Sequence, residues 1–194
     1  MRKILAVMVA LMLALTAVGA LAEAAAGVNV TTHNFGDFNL SYPEDCRLDL
    51  GTKTDNGVYF TLFSPSTSEA NFSNNMNCVW MSQYEDITQY QPQDLLDYTV
   101  SSFAEGAAAQ GLIVTNVQGL KADWVQMDGL QAMAIGYSYD ADYSNMGANL
   151  QASLICMSVS VADPSFGVYT FSITSGNEVG IQELANVLDS ITWN

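Results

Sequence analysis

An acidic segment near residue 140 is the part of the sequence best suited to chemistry. Asp140, Asp142 and Ser144 place oxygen atoms at the first, third and fifth positions of an EF-hand-like calcium loop. The pattern then departs from that motif, because Asn145 stands where glycine is required and Gln151 stands where a bidentate glutamate is required. Aspartate, asparagine and serine are also usual in solvated hairpin loops. A calcium site and an ordinary loop therefore stay as alternatives.

Three tyrosines stand close to the same segment. Tyr137 and Tyr139 precede it and Tyr143 lies within it. An exposed group of aromatic rings is a common binding surface for peptides or carbohydrates. Aromatic residues at alternating strand positions are also typical of a core or of cross-strand pairs. Partner binding by these tyrosines is one hypothesis, and a packing role is the other.

Nucleophilic catalysis lacks the histidine that it needs. His33 is the single histidine, and it falls in a polar segment ahead of the first predicted strand, where nothing would hold it against a nucleophile. No glycine-rich loop opens a helix beside a lysine, so a phosphate-binding loop is not indicated. The twenty acidic residues leave open a hydrolase that uses paired carboxylates on an extracellular polymer. The sequence otherwise predicts a protein that is not an enzyme and needs no cofactor.

The charge balance restricts the partner. The chain carries five lysines and arginines against twenty aspartates and glutamates, a formal net charge of −15. Proteins bind nucleic acids and anionic lipids by placing basic side chains on phosphates, so neither is an expected partner. Cations, basic partners and neutral ligands remain compatible with this charge, and the acidity also favours solubility. We expect an unidentified protein or envelope partner.

The N-terminal segment has the three parts of a secretory signal peptide. A basic start at residues 1–3 is followed by an apolar run at residues 4–18, and Ala20-Leu21-Ala22 forms a cleavage-like site. The apolar run is shorter than the ~20 residues that a membrane span requires. The sequence therefore predicts export, with cleavage after Ala22 or, as a second choice, after Ala26. The mature protein would be secreted or extracytoplasmic, without membrane insertion.

Beyond the predicted signal peptide at residues 1–22, the chain divides simply. Residues 23–34 are predicted to be a flexible lead-in, and residues 35–194 are predicted to form a single domain. A domain of that length buries enough surface to fold without a metal or a disulfide. The number of cysteines is odd, so sequence alone does not decide whether any two of them pair; they are Cys46, Cys78 and Cys156.

Strand patterns dominate the domain, with two helices between them. Pro92 suits the first turn of a helix and Gly111 suits its end, with an apolar stripe between them. A closing helix is predicted over residues 178–191, with Trp193 sealing its end against the sheet. Asp128-Gly129 predicts a hairpin. Strands are predicted over residues 38–42, 58–63, 77–84, 112–117, 122–127, 130–139, 150–161 and 168–174. Hairpin connections indicate an antiparallel sheet.

The order of these elements resembles the Mog1/PsbP-like fold, and especially the exported bacterial proteins of that fold. The resemblance is carried by the phrase at residues 38–44 (FNLSYPE), a helix at residues 95–109, the turn at residues 127–132 (MDGLQA), the strand at residues 168–174 (VYTFSIT) and a helix at residues 184–191. It implies an α+β protein, with an antiparallel sheet covered by two main helices in an α/β/α sandwich.

The resemblance also bears on function. Proteins of this fold include photosystem II accessory subunits, a nuclear transport factor that binds a small GTPase, and bacterial proteins without an assigned role. It implies a binding or accessory role by analogy, and it carries no catalytic residue to this chain. The sequence thus predicts a secreted, non-catalytic binding or accessory protein of unknown partner. The alternatives are an extracellular hydrolase with paired carboxylates and a Ca²⁺-binding module.

Overall fold

The computed structural model describes residues 29–67 and 73–194 of the chain. The predicted signal peptide therefore lies outside the described residues. The elements, in chain order, are β1 (Val30–Asn34), β2 (Phe38–Pro43), β3 (Arg47–Leu50), β4 (Val58–Thr67), β5 (Ser73–Met81), α1 (Pro92–Ala109), β6 (Ile113–Met127), β7 (Leu130–Asp142), β8 (Gln151–Asp163), β9 (Gly167–Ser175), α2 (Glu178–Leu188) and β10 (Thr192–Trp193). Two 3₁₀ turns add Ile87–Gln89 and Ser144–Met146.

The strands form two sheets. The larger has seven strands in the order β3-β4-β5-β9-β8-β7-β6, and the smaller has three in the order β1-β2-β10. Every strand pair in both sheets is antiparallel. The prediction of an antiparallel α+β protein with two main helices is confirmed.

Alternation along β7 divides the interior into two cores. Ala134 packs in the cluster that contains the buried residues of α2, and the next residue, Ile135, packs in the cluster that contains those of α1. Because neighbouring residues of a strand point to opposite faces of its sheet, α1 and α2 pack on different faces of the seven-stranded sheet.

The larger core joins the two sheets and α2. Phe38 of β2 is fully buried, and its ring lies 5.2 Å from that of Tyr169 and 5.6 Å from that of Phe171 on β9. Trp193 of β10 packs 5.4 Å from Phe38, so it lies against the sheet as its position predicted. From α2, fully or nearly fully buried aliphatic side chains enter this core; they include Ile181, Leu184 and Leu188.

The smaller core lies under α1, which packs mainly on β6 and β7. Pro92 occupies the first turn, and Gly111 follows the helix with φ of 84°, a conformation that glycine adopts without strain. Leu96 packs within 3.2 Å of the position that a Cβ on Gly119 would occupy, so this glycine lets α1 approach β6 closely. Phe103 completes the contact by packing on two tyrosines of β7.

A buried polar network fixes the start of α2. Asn74 is fully buried, and its Nδ2 donates to the carbonyl and the hydroxyl of Ser66, both at 3.0 Å. Its Oδ1 accepts from Ser175 Oγ at 2.7 Å and from the Gly176 amide at 3.1 Å. Asn177 caps the helix by accepting a hydrogen bond from the Gly180 amide at 2.7 Å. The network ties β4, β5 and β9 to this helix terminus.

Several boundaries differ from the sequence prediction. The predicted lead-in contains a strand, because residues 30–34 pair with β2. The strand expected at residues 77–84 is β5, which begins at residue 73 and ends at residue 81. The two short strands expected between residues 112 and 127 are one continuous strand with two irregularities. The closing helix ends at Leu188 rather than at residue 191.

Candidate functional site

The acidic segment that suggested a calcium loop is the end of a strand. Asp140 and Asp142 belong to β7, and Ser144 begins the following 3₁₀ turn. The Asp140 carboxylate accepts hydrogen bonds from Asn116 Nδ2 and Ser153 Oγ, both at 2.6 Å. Asp142 accepts from the Ser144 amide at 2.8 Å and from a glutamine side chain on β8 at 2.9 Å. Their oxygen atoms are therefore engaged by neutral donors of the protein itself.

Both aspartates line a depression of about 430 Å³. This polar depression is formed by Ile113, Thr115, Asp140, Ala141, Asp142, Gln151, Ala152 and Ser153. Hydrogen bonds lower the pKa of Asp140, through Asn116 first, and of Asp142, through Ser144 first. Both carboxyls are thus charged at neutral pH, so neither has the raised pKa that a general acid of a hydrolase needs. Within residues 29–67 and 73–194, no three His, Cys, Asp or Glu side chains are grouped to hold a metal ion.

Two of the three tyrosines are buried. Tyr137 and Tyr139 lie in the core beneath α1, where the Phe103 ring is 5.2 Å from the first and 4.7 Å from the second. Burial raises the pKa of both phenols. The hypothesis of an exposed patch is therefore wrong for Tyr137 and Tyr139, because they point toward the helix that covers β7. Tyr143 is half-buried at the edge of that helix, and burial raises its pKa as well.

An apolar groove opens where α1 ends beside the turn after β7. Its volume is about 390 Å³, and it is lined by Ser102, Phe103, Gly106, Ala107, Gln110, Leu112, Tyr143 and Met146. Met146 is 56% exposed, which is high for an apolar side chain. Methionine is also flexible and suited to adaptable contacts. A Cβ added at Gly106 would meet no atom within 4 Å. The groove thus presents apolar surface to solvent, with open space above one helical glycine.

Only one of these residues was singled out from sequence. Tyr143 was a candidate, but the other lining residues come from a helix and a turn some forty positions apart. One signal was available: Gly106 interrupts a run of good helix formers, and a glycine inside a helix is unfavourable by ~1 kcal/mol relative to alanine.

A second cluster surrounds Lys53. Its ammonium donates to Asp37 Oδ2 at 2.5 Å and lies 4.5 Å from the centre of the Trp80 ring and 5.3 Å from that of Tyr169. The Tyr169 hydroxyl also donates to Asp37, at 2.7 Å. This arrangement satisfies each charged group internally and joins the β1–β2 turn to the loop before β4. The lysine is thus held in place by the protein's own rings and carboxylate.

The charge of Asp37 is favoured by its partners. Burial alone would raise its pKa, but hydrogen bonds from Lys53 and Tyr169 and the positive charge of Lys53 outweigh that effect and lower it. A carboxyl with a lowered pKa in the folded state stabilises the fold above its unfolded pKa, and that stabilisation is lost as pH falls through the folded value.

We therefore expect Asp37→Asn to lower the free energy of unfolding near pH 7 and to have a smaller effect at about pH 2.5. The measurement is urea unfolding of wild type and variant at both pH values. Lys53→Met, alone and combined with Asp37→Asn, completes a double-mutant cycle that isolates the pair. The loss of stability caused by Asp37→Asn should be smaller at low pH and in the Lys53→Met background. An equal loss at both pH values, or an undiminished loss in that background, would contradict a stabilising Asp37–Lys53 pair.

The remaining nucleophiles are in packing positions. His33 lies on β1 with its ring 4.5 Å from that of Phe35. Cys78 and Cys156 are buried in the two different cores, as small apolar residues would be. Burial raises the pKa of Cys46 to about 11, with smaller contributions from Asp45 and Glu183. At neutral pH this thiol is protonated and unsuited to nucleophilic attack.

Comparisons with known proteins support the fold. No protein-family model and no curated protein sequence matches the chain. The solution structure of the cyanobacterial PsbP protein of Synechocystis sp. PCC 6803 matches with a TM-score of 0.58 and 10% identity, covering 86% of this chain and 94% of that one. The Ran-binding protein Mog1p of Saccharomyces cerevisiae matches with a TM-score of 0.52 and 10% identity, covering 86% and 96%. The chain therefore has the Mog1/PsbP-like fold that its sequence phrases predicted. Among the described residues, α1 and α2 both fall short of what a bilayer-spanning helix requires.

Proposed function

We propose that this protein is an exported, non-catalytic binding protein that holds a protein partner in the apolar groove at the end of α1. The observation that carries the proposal is the groove itself: about 390 Å³ of mostly apolar space beside an exposed methionine. Pockets of this size with apolar walls and a few polar groups are usual sites for ligands or anchoring side chains.

Two further observations support a binding role outside the cytoplasm. The basic, apolar and small-residue order of the first 22 residues is that of a signal peptide. The yeast protein of the same fold is described as Ran-binding, so this architecture supports protein binding in at least one other chain. That second argument is an analogy of fold, whereas the groove belongs to this molecule.

The test uses Gly106, because a larger side chain there enters open space. Gly106→Leu should fill the groove while improving helix propensity, so the fold is retained and the partner is lost. Gly106→Ala is the matched control, since it gives the same helical benefit and leaves most of the groove open. Full-length tagged protein would be expressed in the exporting cell, cross-linked and purified from the envelope fraction.

We expect the same cross-linked partner with wild type and Gly106→Ala, and at least a roughly tenfold smaller yield with Gly106→Leu, the equivalent of about 1.4 kcal/mol. Circular dichroism melting checks that each of the three proteins is folded. An equal yield from a folded Gly106→Leu protein would remove the groove as the binding site.

A further inference from the structure

The face of the large sheet on which α1 packs continues beyond the helix as a row of polar side chains. Ile135 of β7 belongs to the core under α1, and Ser158 on β8 is its direct partner. Residues that pair directly across strands lie on the same face of a sheet. The register continues from Ser158 to Ser172 on β9, then to Asn77 on β5 and Thr61 on β4. These side chains therefore lie on the α1 face, opposite the larger core.

The neighbouring residues of the same face extend this row into a polar array. The array consists of hydroxyl and amide side chains on four adjacent strands: Thr61, Asn75, Asn77, Ser158, Ser160, Thr170, Ser172 and Thr174. Each of them is partly exposed, whereas residues between them that point to the other face, such as Cys78 and Phe171, are fully buried. Because α1 packs mainly on β6 and β7 and α2 packs on the opposite face, the array stays in contact with solvent.

The strands that carry the polar array are almost without charge. β4, β5 and β9 contain no charged residue, and β8 contains only its last residue, Asp163. The whole chain, by contrast, has twenty acidic residues and a net charge of −15. Charged side chains on this face begin at β3, where Arg47 and Asp49 pair with each other at 3.2 Å. The array therefore favours an uncharged ligand, since it offers no charge to complement and the acidic remainder of the chain repels anions.

The polar array is held in place by its own hydrogen bonds and keeps capacity for more. Ser160 Oγ and Thr170 Oγ1 lie 2.9 Å apart, and Thr61 Oγ1 donates to Asn77 Oδ1 at 2.6 Å. A single hydrogen bond between two hydroxyls leaves an O–H donor and several lone pairs unused. Side chains that the protein already fixes lose little rotamer freedom on binding, so less of the contact energy is lost to ordering.

The spacing of the polar array suits a polymer with repeated hydroxyl groups. Neighbouring strands lie about 4.8 Å apart and alternate residues of one strand about 6.6 Å apart, so donors and acceptors recur in two directions. Val79 pairs with Thr170 and Phe63 pairs with Asn75, which adds apolar contact for the C–H faces of sugar rings. A protein partner fits less well, because the centres of protein interfaces are enriched in aromatic residues, methionine and arginine and depleted in serine.

From these observations we propose that the polar array is a second binding site, for an extended, uncharged β-linked polysaccharide. Sugar hydroxyls exchange hydrogen bonds with the serine, threonine and asparagine side chains of β4, β5, β9 and β8. This site is separate from the groove at the end of α1 and does not depend on the proposed function. Because the contacts join neutral groups, salt changes the affinity little.

The test measures binding of cellohexaose, an uncharged β-linked glucan oligosaccharide, to the full-length protein by titration calorimetry. The charged comparison is the same oligosaccharide oxidised to a carboxylate at the primary hydroxyl of each sugar. We expect cellohexaose to bind, and the oxidised form to bind at least roughly tenfold more weakly, the equivalent of about 1.4 kcal/mol.

A matched pair of double variants locates the site. Ser160→Ala with Thr170→Val removes both members of one hydroxyl pair, so neither is left without its partner and the fold is retained. Thr32 and Ser41 form the same kind of pair on the small sheet, at 2.8 Å, so Thr32→Val with Ser41→Ala is the control. The array variant should bind cellohexaose roughly tenfold more weakly, as expected for the loss of two hydrogen bonds, and the control should bind it unchanged. Circular dichroism melting establishes that each variant is folded.

The outcomes are independent of the groove. Gly106→Leu should leave cellohexaose binding unchanged, and a loss in that variant would overturn the inference because the sugar would then occupy the groove. A protein that does not bind cellohexaose, or equal weakening in the array and control variants, would also overturn it. Analytical ultracentrifugation adds one more outcome: a dimer that Ser160→Ala with Thr170→Val abolishes would mean that a second copy covers the array, and the inference would be wrong. Failure by any of these routes leaves the cross-linked partner of the groove to be judged by its own test.

Discussion

Replacing Phe38 with alanine should destabilise the protein by about 3–5 kcal/mol, the range for removing a fully buried aromatic ring. Phe38 is completely buried and joins the two sheets. Its ring lies within 6.4 Å of five others, those of Phe35, Phe60, Tyr169, Phe171 and Trp193. A cavity there removes contacts from both sheets at once, and a well-packed interior relaxes only partly to fill it.

Urea unfolding followed by tryptophan fluorescence measures this loss. Tyr98→Ala is the control, because Tyr98 is 68% exposed on α1 and its removal should change stability by less than ~0.5 kcal/mol. If Phe38→Ala and Tyr98→Ala shifted the unfolding midpoint equally, the packing of the small sheet on the large one would be wrong.

The second large effect is expected at Gly180, in the first turn of α2. A Cβ at this position would overlap the side-chain amide of Asn74 and lie 2.7 Å from Ser175 Oγ. Because Asn74 is fully buried and all its hydrogen-bonding atoms are used, it has no free direction in which to move. Gly180→Ala should therefore cost about 2–4 kcal/mol, through overpacking and through polar groups left unsatisfied.

Gly106→Ala is the matched control for this prediction. Both glycines lie inside helices, but a Cβ at Gly106 meets nothing, so alanine there should stabilise the protein by ~0.5–1 kcal/mol. Changes of opposite sign in the free energy of unfolding, measured with urea, would show that the atoms around each glycine decide whether alanine stabilises or destabilises the protein. If Gly180→Ala also stabilised the protein, the close approach of α2 to Asn74 would be refuted.

The helices and the central strands could be predicted because their residues repeat with clear periods. Leu96, Phe103 and Ala107 form the stripe that packs on β6 and β7, and Asp128-Gly129 makes the predicted turn. β1 was missed because its side chains are mostly exposed and its stability comes from backbone pairing with β2. β6 was divided in two because Gly119 and Asn116, the latter with φ of 54°, mark irregularities that interrupt alternation without ending the strand.

The candidate site was less predictable. The sequence brought attention to Asp140, Asp142 and Tyr143, and the structure places the two aspartates in the polar depression and Tyr143 in the apolar groove. It did not distinguish these residues from Tyr137 and Tyr139, because burial of a strand face depends on where a distant helix packs. The groove itself depends on Gly106 and Met146, which tertiary structure alone brings together.

The most direct test of the groove as a binding site is site-specific photo-cross-linking in the cell that produces the protein. A photoreactive residue would replace Met146 in the groove or, as a control, Val179 on α2, which is similarly exposed at 61% against 56%. The account predicts a discrete cross-linked protein from position 146 that is not obtained from position 179. Identical products from both positions, or products from position 179 alone, would contradict it.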